Sequence, residues 1–230
     1  NMLFYENTYL KEFIAKIISI KDNNIVLDKT AFYAKSGGQP GDEGIFINNA
    51  KSTIIKETIR DNENNISHIA EENINLKIGD EIKGIINWEK RYQYMKMHSA
   101  LHLLCSIVPF GVTGGQIGYE KSRLDFDAQN NIIDKLEIEN KINNLIKEDY
   151  PITYKRISLD ELDKNPELVR TMSVKPPRIS GKIRLVQIGN IDLQPCGGTH
   201  VKSTKEIGKI SILKIENKGK KNRRIIVNIV

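Results

Sequence analysis

Trp88-Glu89-Lys90-Arg91-Tyr92-Gln93-Tyr94-Met95-Lys96-Met97-His98-Ser99-Ala100-Leu101-His102-Leu103-Leu104-Cys105 is the stretch at which the pattern of this chain changes. Tyr94, Met97, Leu101, Leu104 and Val108 keep the three- and four-residue rhythm of one helical face. Pro109 and Gly111 end that rhythm. Upstream the chain reads as short strands, and downstream as strands mixed with helices. The expected fold class is therefore α+β. Residues 1–87 should form a small β-barrel-like domain. Residues 88–230 should form an α+β domain with helices packed on a mostly antiparallel sheet.

The upstream strands are Phe13 to Ile20, Ile25 to Leu27, Gly44 to Ile47, Ser52 to Ile59, Ile66 to Ala70 and Glu81 to Asn87. Lys21-Asp22-Asn23-Asn24, Asn48-Asn49 and Asp61-Asn62-Glu63-Asn64-Asn65 separate them as turns. Strands this short at this spacing suit a small barrel or sandwich. Downstream, Gly114 to Asp127 reads as a loop and a strand, and Ile132 to Glu148 as a second helix. Pro151 opens a strand over Ile152 to Ile157, and Leu159 to Val169 reads as a short helix interrupted at Asn165-Pro166. Lys182 to Ile188, Gly208 to Glu216 and Arg223 to Ile229 read as strands.

Composition narrows the class. The chain has 230 residues, 39% hydrophobic and 28% charged, with a net charge of +6. No apolar run reaches the length of a membrane span, and no secretory leader is expected. Two cysteines 91 positions apart argue against a disulfide scaffold and for a reducing cytoplasm. The positive charge is clustered. Lys175, Arg178, Lys182 and Arg184 form one group, and Lys218, Lys220, Lys221, Arg223 and Arg224 another. Such groups suit a polyanionic partner as well as a solvated surface.

His98 and His102 lie four apart on the expected helix, so both imidazoles share a face. Cys196-Gly197-Gly198-Thr199-His200 offers a second pair at the same spacing. The two motifs use three of the four histidines and one of the two cysteines. Either motif alone is a weak signal. Together they make a nitrogen and sulfur set suited to one zinc per chain. Ser99 follows His98, so the glutamate base of an HExxH peptidase is missing. Cys105 lies near the same helical face, but its apolar neighbours Leu103, Leu104, Ile107 and Val108 make it a core residue rather than a ligand. His68, in an Asn- and Glu-rich stretch, is expected to be exposed.

A third motif is Ser36-Gly37-Gly38-Gln39-Pro40-Gly41-Asp42-Glu43-Gly44. Read alone, Gly37-Gly38 is a hairpin connector whose glycines take positive φ without penalty.

The three motifs in this order, with Thr30-Ala31-Phe32-Tyr33 ahead of them, resemble the editing domain of alanyl-tRNA synthetase. With no activation domain beside it, the chain is more similar to the free-standing AlaX editing proteins of the medium-length type. The family often has Pro where Ala34 stands. The resemblance implies that residues 88–230 are a zinc-binding editing domain. It implies hydrolysis of the ester joining serine, or glycine, to the alanine tRNA. His98, His102, Cys196 and His200 would hold the zinc. Thr30 is the expected hydroxyl partner, and Gln39 the positioner of water or ester. Ser36, Gly37, Gly38, Arg223 and Arg224 would contact substrate. The threonyl-tRNA synthetase editing domain is a more distant likeness, since it lacks the Ser-Gly-Gly-Gln stretch. An RNA-binding module with a structural zinc, and a zinc hydrolase of small esters, are the readings outside the editing class.

Overall fold

A computed structural model describes residues 1–71, 75–129, 131–168, 178–179 and 181–230. The chain divides into two compact units, Asn1–Tyr94 and Met95–Val230.

In the first unit, β1 (Glu12–Lys21), β2 (Asn24–Leu27), β3 (Gly44–Asn48), β4 (Lys51–Arg60), β5 (Ile66–Ala70) and β6 (Glu81–Ile86) close into an antiparallel barrel. Their order around it is β1-β2-β5-β4-β3-β6. The two-residue period of a strand explains the inside and the outside. Phe13, Ala15 and Ile17 of β1 point inward, while Ile14 and Ile18 are exposed. Phe32, from the segment between β2 and β3, fills the barrel centre, with ring centroids 6.0 Å from Phe13 and 5.5 Å from Phe46.

One expectation fails here. His68 is fully buried on β5, not exposed. Its ring lies 5.4 Å from Phe32 and 5.1 Å from Phe46, centroid to centroid. The polar composition of residues 61–65 describes the loop before β5, whereas His68 occupies an inward position of the strand itself. Burial pulls its pKa down to about 4, so the ring is neutral, although its bond to the Ile25 carbonyl works the other way.

The division into units falls inside α1 (Trp88–Ile107). In the second unit, β7 (Val112–Gln116), β8 (Ser122–Asp127), β13 (Ile210–Lys218) and β14 (Asn222–Ile229) form an antiparallel sheet in the order β13-β14-β8-β7. The helix α2 (Lys135–Lys147) packs on β13. Its N-cap Asp134 accepts a bond from the Glu137 N–H, and its buried face is Ile138, Ile142 and Ile146. The expected helix began at Ile132, but Ile132 precedes the observed one and is exposed, as is Leu136, which points away from the buried face.

A second sheet is built on β11 (Lys182–Ile188), which pairs with β9 (Ile152–Ser158), β10 (Arg178–Ile179) and β12 (Asp192–Pro195). The short α3 (Leu159–Asp163) has a complete capping box of Ser158 and Glu161. It is followed by a 3-10 turn, Pro166–Leu168. Val169, the expected end of this helical stretch, and Lys175 lie outside the described residues. Leu162, Ile183 and Leu185 form the core between α3 and the sheet.

Candidate metal centre and substrate-binding residues

Met97 to Cys105 is buried at every position. A helix buried all round needs partners on all sides, and polar groups inside it need bonds. His98, Ser99 and His102 are the polar side chains of that stretch, and each faces the Cys196–His200 turn that follows β12.

The ligand atoms of His98, His102, Cys196 and His200 all lie within 4.8 Å of one another. Cys196 Sγ is 3.4 Å from both His98 Nε2 and His200 Nε2. Zinc bonds of about 2.3 Å to sulfur and 2.0–2.1 Å to nitrogen, at tetrahedral angles, would separate S and N by about 3.5 Å. The donor set and its spacing fit one such ion. Cys105, buried on the same helix, is not a member of the group.

Outer contacts orient the rings. Ser99 Oγ lies 3.1 Å from His200 Nδ1 and accepts a bond from the Val201 N–H. Taking the Nδ1 proton of His200 leaves the Nε2 lone pair toward the centre. Asp192 Oδ2 is 3.7 Å from His102 Nδ1 and accepts a bond from Gln194 Nε2 at 2.8 Å. The Gly198 N–H points at Cys196 Sγ from 3.3 Å.

Charge follows geometry. Burial pushes the Cys196 thiol up. The imidazoles of His98 and His102 and the bonds from His102 and His200 overrule it, leaving the pKa well below that of an ordinary thiol. Burial and its two histidine neighbours hold His200 neutral. Burial lowers His102, but the Cys196 thiolate and Asp192 raise it to about 9. Thiolate and neutral imidazole are the ligating forms, so an incoming ion would displace a proton from His102.

Comparison with known proteins fits this geometry. An alanyl-tRNA editing protein AlaX-M from Saccharolobus solfataricus is 36% identical over 99% of this chain and 98% of its own length. This chain belongs to the AlaX-M family of alanyl-tRNA editing proteins. A family member from Methanosarcina barkeri is 35% identical over 99% of this chain and 98% of its own. The alanine–tRNA ligase of Saccharolobus islandicus is 33% identical over 93% of this chain, which spans 25% of that enzyme. The protein-family model described as threonyl and alanyl tRNA synthetase second additional domain matches residues 183–226. The model described as tRNA synthetases class II (A) matches residues 4–90.

The glycine motif of this AlaX-M relative lies in the first unit. Ser36 and Gln39 exchange both backbone bonds around Gly37 (φ 57°) and Gly38 (φ 80°), a two-residue hairpin turn with an exposed tip. Gln39 itself is buried. Behind the tip, a Cβ on Gly41 would sit 1.9 Å from the Thr58 carbonyl oxygen, so only glycine fits. Asp42 accepts the Tyr33 N–H at 2.7 Å and pairs with the buried Arg91, whose Nη groups also bond the carbonyls of Thr8 and Ala31. The rear of the motif thus has a structural cause, and Ser36, Gly37 and Gly38 at its front are exposed.

Thr30 is buried at 3% exposure. Its Oγ1 accepts the Phe32 N–H at 3.1 Å and lies 2.8 Å from His68 Nε2. His68 Nδ1 is 2.9 Å from the Ile25 carbonyl, which only an N–H can satisfy. Neutral His68 therefore carries its proton on Nδ1 and accepts a hydrogen bond from the Thr30 hydroxyl on Nε2.

Arg223 and Arg224 are half-buried on β14. Arg224 makes a two-pronged pair with Asp125, Nε and Nη2 each at 2.8 Å, and Arg123 joins the same carboxylate at 2.6 Å. Lys220 and Lys221 at the hairpin tip are exposed. Arg184, counted with a basic surface group, is buried and faces the Cys196–His200 turn. Ser99, Asp192 and His68 gave no sequence signal beyond their type: their roles come from partners distant in the chain.

Proposed function

We propose that this chain is a trans-editing deacylase that clears mischarged serine, and also glycine, from the alanine tRNA. The observation that carries the reading is the convergence of His98, His102, Cys196 and His200 in a chain similar along its whole length to alanyl-tRNA editing proteins. In the reaction, water oxygen attacks the ester carbonyl carbon and the bond to the terminal ribose oxygen breaks. That oxygen leaves with a proton as the ribose hydroxyl, and the free amino acid departs. Bound zinc would supply Lewis acidity to polarise a carbonyl or acidify water. His98, His102, Cys196 and His200 would hold it, with Ser99 and Asp192 fixing the rings. Residues 88–230 are the editing domain in this reading, with Thr30 and Gln39 as proposed catalytic groups and Ser36, Gly37, Gly38, Arg223 and Arg224 as proposed substrate contacts. A tRNA-editing role fits action in the cytoplasm.

Four protein ligands favour a second reading, since closed sites are usually structural. In that case the zinc holds an RNA-binding module together without chemistry. Incubation with radiolabelled seryl-, glycyl- and alanyl-tRNA of the alanine isoacceptor separates the two. Release of serine with alanine spared supports editing. Cleavage of alanyl-tRNA at the same rate defeats it, and release from none of the three leaves the binding module. A seryl-tRNA of the threonine isoacceptor in parallel tests the likeness to the threonyl enzyme.

A further inference from the structure

Arg184 lies on β11 with 3% of its surface exposed. A cation this deep needs strong acceptors. Its Nη1 donates to the carbonyl oxygens of Cys196 at 2.8 Å and Gly198 at 2.9 Å. Its own carbonyl accepts the Cys196 N–H at 3.2 Å, which extends the β11–β12 ladder by one bond. The guanidinium carbon sits 3.9 Å above the Tyr154 ring on β9. One side chain thus grips both ends of the Cys196-Gly197-Gly198 turn while an aromatic plane limits its own freedom.

Two glycines make that turn conformationally loose. Ligands on a loose turn sample many positions, and ordering them opposes binding of an ion. We propose that Arg184 is a positioning residue for the metal centre. Its guanidinium fixes the turn so that the Cys196 thiolate and the His200 imidazole meet His98 and His102 at one point. The inference rests on the reading of these four residues as a metal site.

The test uses the full chain stripped of metal and titrated with cobalt(II), a spectroscopic stand-in for zinc. Visible absorption reports geometry, and the near-ultraviolet thiolate-to-cobalt band reports the Cys196 bond. Arg184→Met keeps much of the length and removes the donors. It should weaken cobalt affinity about 10- to 100-fold, the range for outer contacts of metal ligands, and diminish the thiolate band. Arg184→Gln keeps one short donor and should fall between. Circular dichroism and the melting temperature of the metal-free proteins control for folding. If Arg184→Met fails to fold, Arg184→Gln decides. A folded variant that binds cobalt with wild-type affinity and spectrum overturns the proposal, even if its metal-free form melts earlier, because Arg184 would then serve the sheet alone. Failure of the wild-type chain to bind cobalt would instead remove the metal site itself.

Discussion

His68 shows how one side chain sets the protonation of its neighbours. Its folded pKa of about 4 lies below the ordinary histidine value of about 6.5. Between those values the unfolded chain binds the proton and the folded chain does not. Stability present above pH 6.5 is therefore lost as pH falls toward 4, by roughly 3 kcal/mol. Denaturation midpoints measured at pH 7 and pH 4.5 should show this fall, and His68→Gln should flatten it. An equal slope in both proteins would place the acid sensitivity elsewhere. The same histidine bears on Thr30. With its proton committed to His68, Thr30 can meet a substrate hydroxyl only as an acceptor. If it does so, Thr30→Val should slow seryl-tRNA hydrolysis by about 1–3 kcal/mol of transition-state stabilisation and leave glycyl-tRNA hydrolysis nearly unchanged. Equal slowing of both substrates would assign Thr30 to the barrel. The valine also strands His68 Nε2, so the melting temperature must be followed alongside.

At the scale of elements, β14 carries a sharper expectation than its charge suggests. Arg224 is held by Asp125, whose carboxyl burial raises but whose arginine partners Arg224 and Arg123 keep below the usual range. If Arg223 and Arg224 meet tRNA phosphates, replacing both with Ala should weaken binding and flatten its dependence on salt by up to two ion contacts. Unchanged binding with a lower melting temperature would make Arg224 a brace of β8 against β14. Most strands and helices of the chain were legible in its sequence. The barrel strands and α1 could be read from apolar periodicity and turn residues, within one or two positions at each end. The stretches that escaped reading have a common cause. β7 is Val-Thr-Gly-Gly-Gln and β12 is Asp-Leu-Gln-Pro, with too few apolar residues to show a period. They are strands because partner strands pair with them. The two motifs that converge as a candidate metal group were legible because the spacing within each is local. Ser99 and Arg184 were not, because their partners lie 101 and 12 to 14 residues away.

For the molecule as a whole, the two cores have different dependencies. The core packed around Phe32 contains none of the four candidate ligands, whereas the residues flanking His98 and His102 are core residues of the second unit. Stripping the metal should therefore speed amide hydrogen exchange in the second half of α1 and around Cys196 to His200. Exchange in β1 to β6 should stay as it was. Uniform protection before and after stripping would mean that the ion contributes nothing to the fold, and faster exchange in both units would tie the barrel to it.

The distance in sequence between the two candidate ligand pairs has a consequence in time. His102 and Cys196 are separated by 94 positions, 196 minus 102. An ion joining them would act as a cross-link across that span, worth about 4–5 kcal/mol in the chain-entropy model of such a link. During synthesis the histidine pair emerges long before its partners. A ribosome that has just made α1 has produced half of a chelate, which holds metal poorly until the Cys196 turn follows. Metal uptake should therefore coincide with completion of the second unit. Nascent chains halted before Cys196 should fail to retain metal on a column that captures those halted after His200.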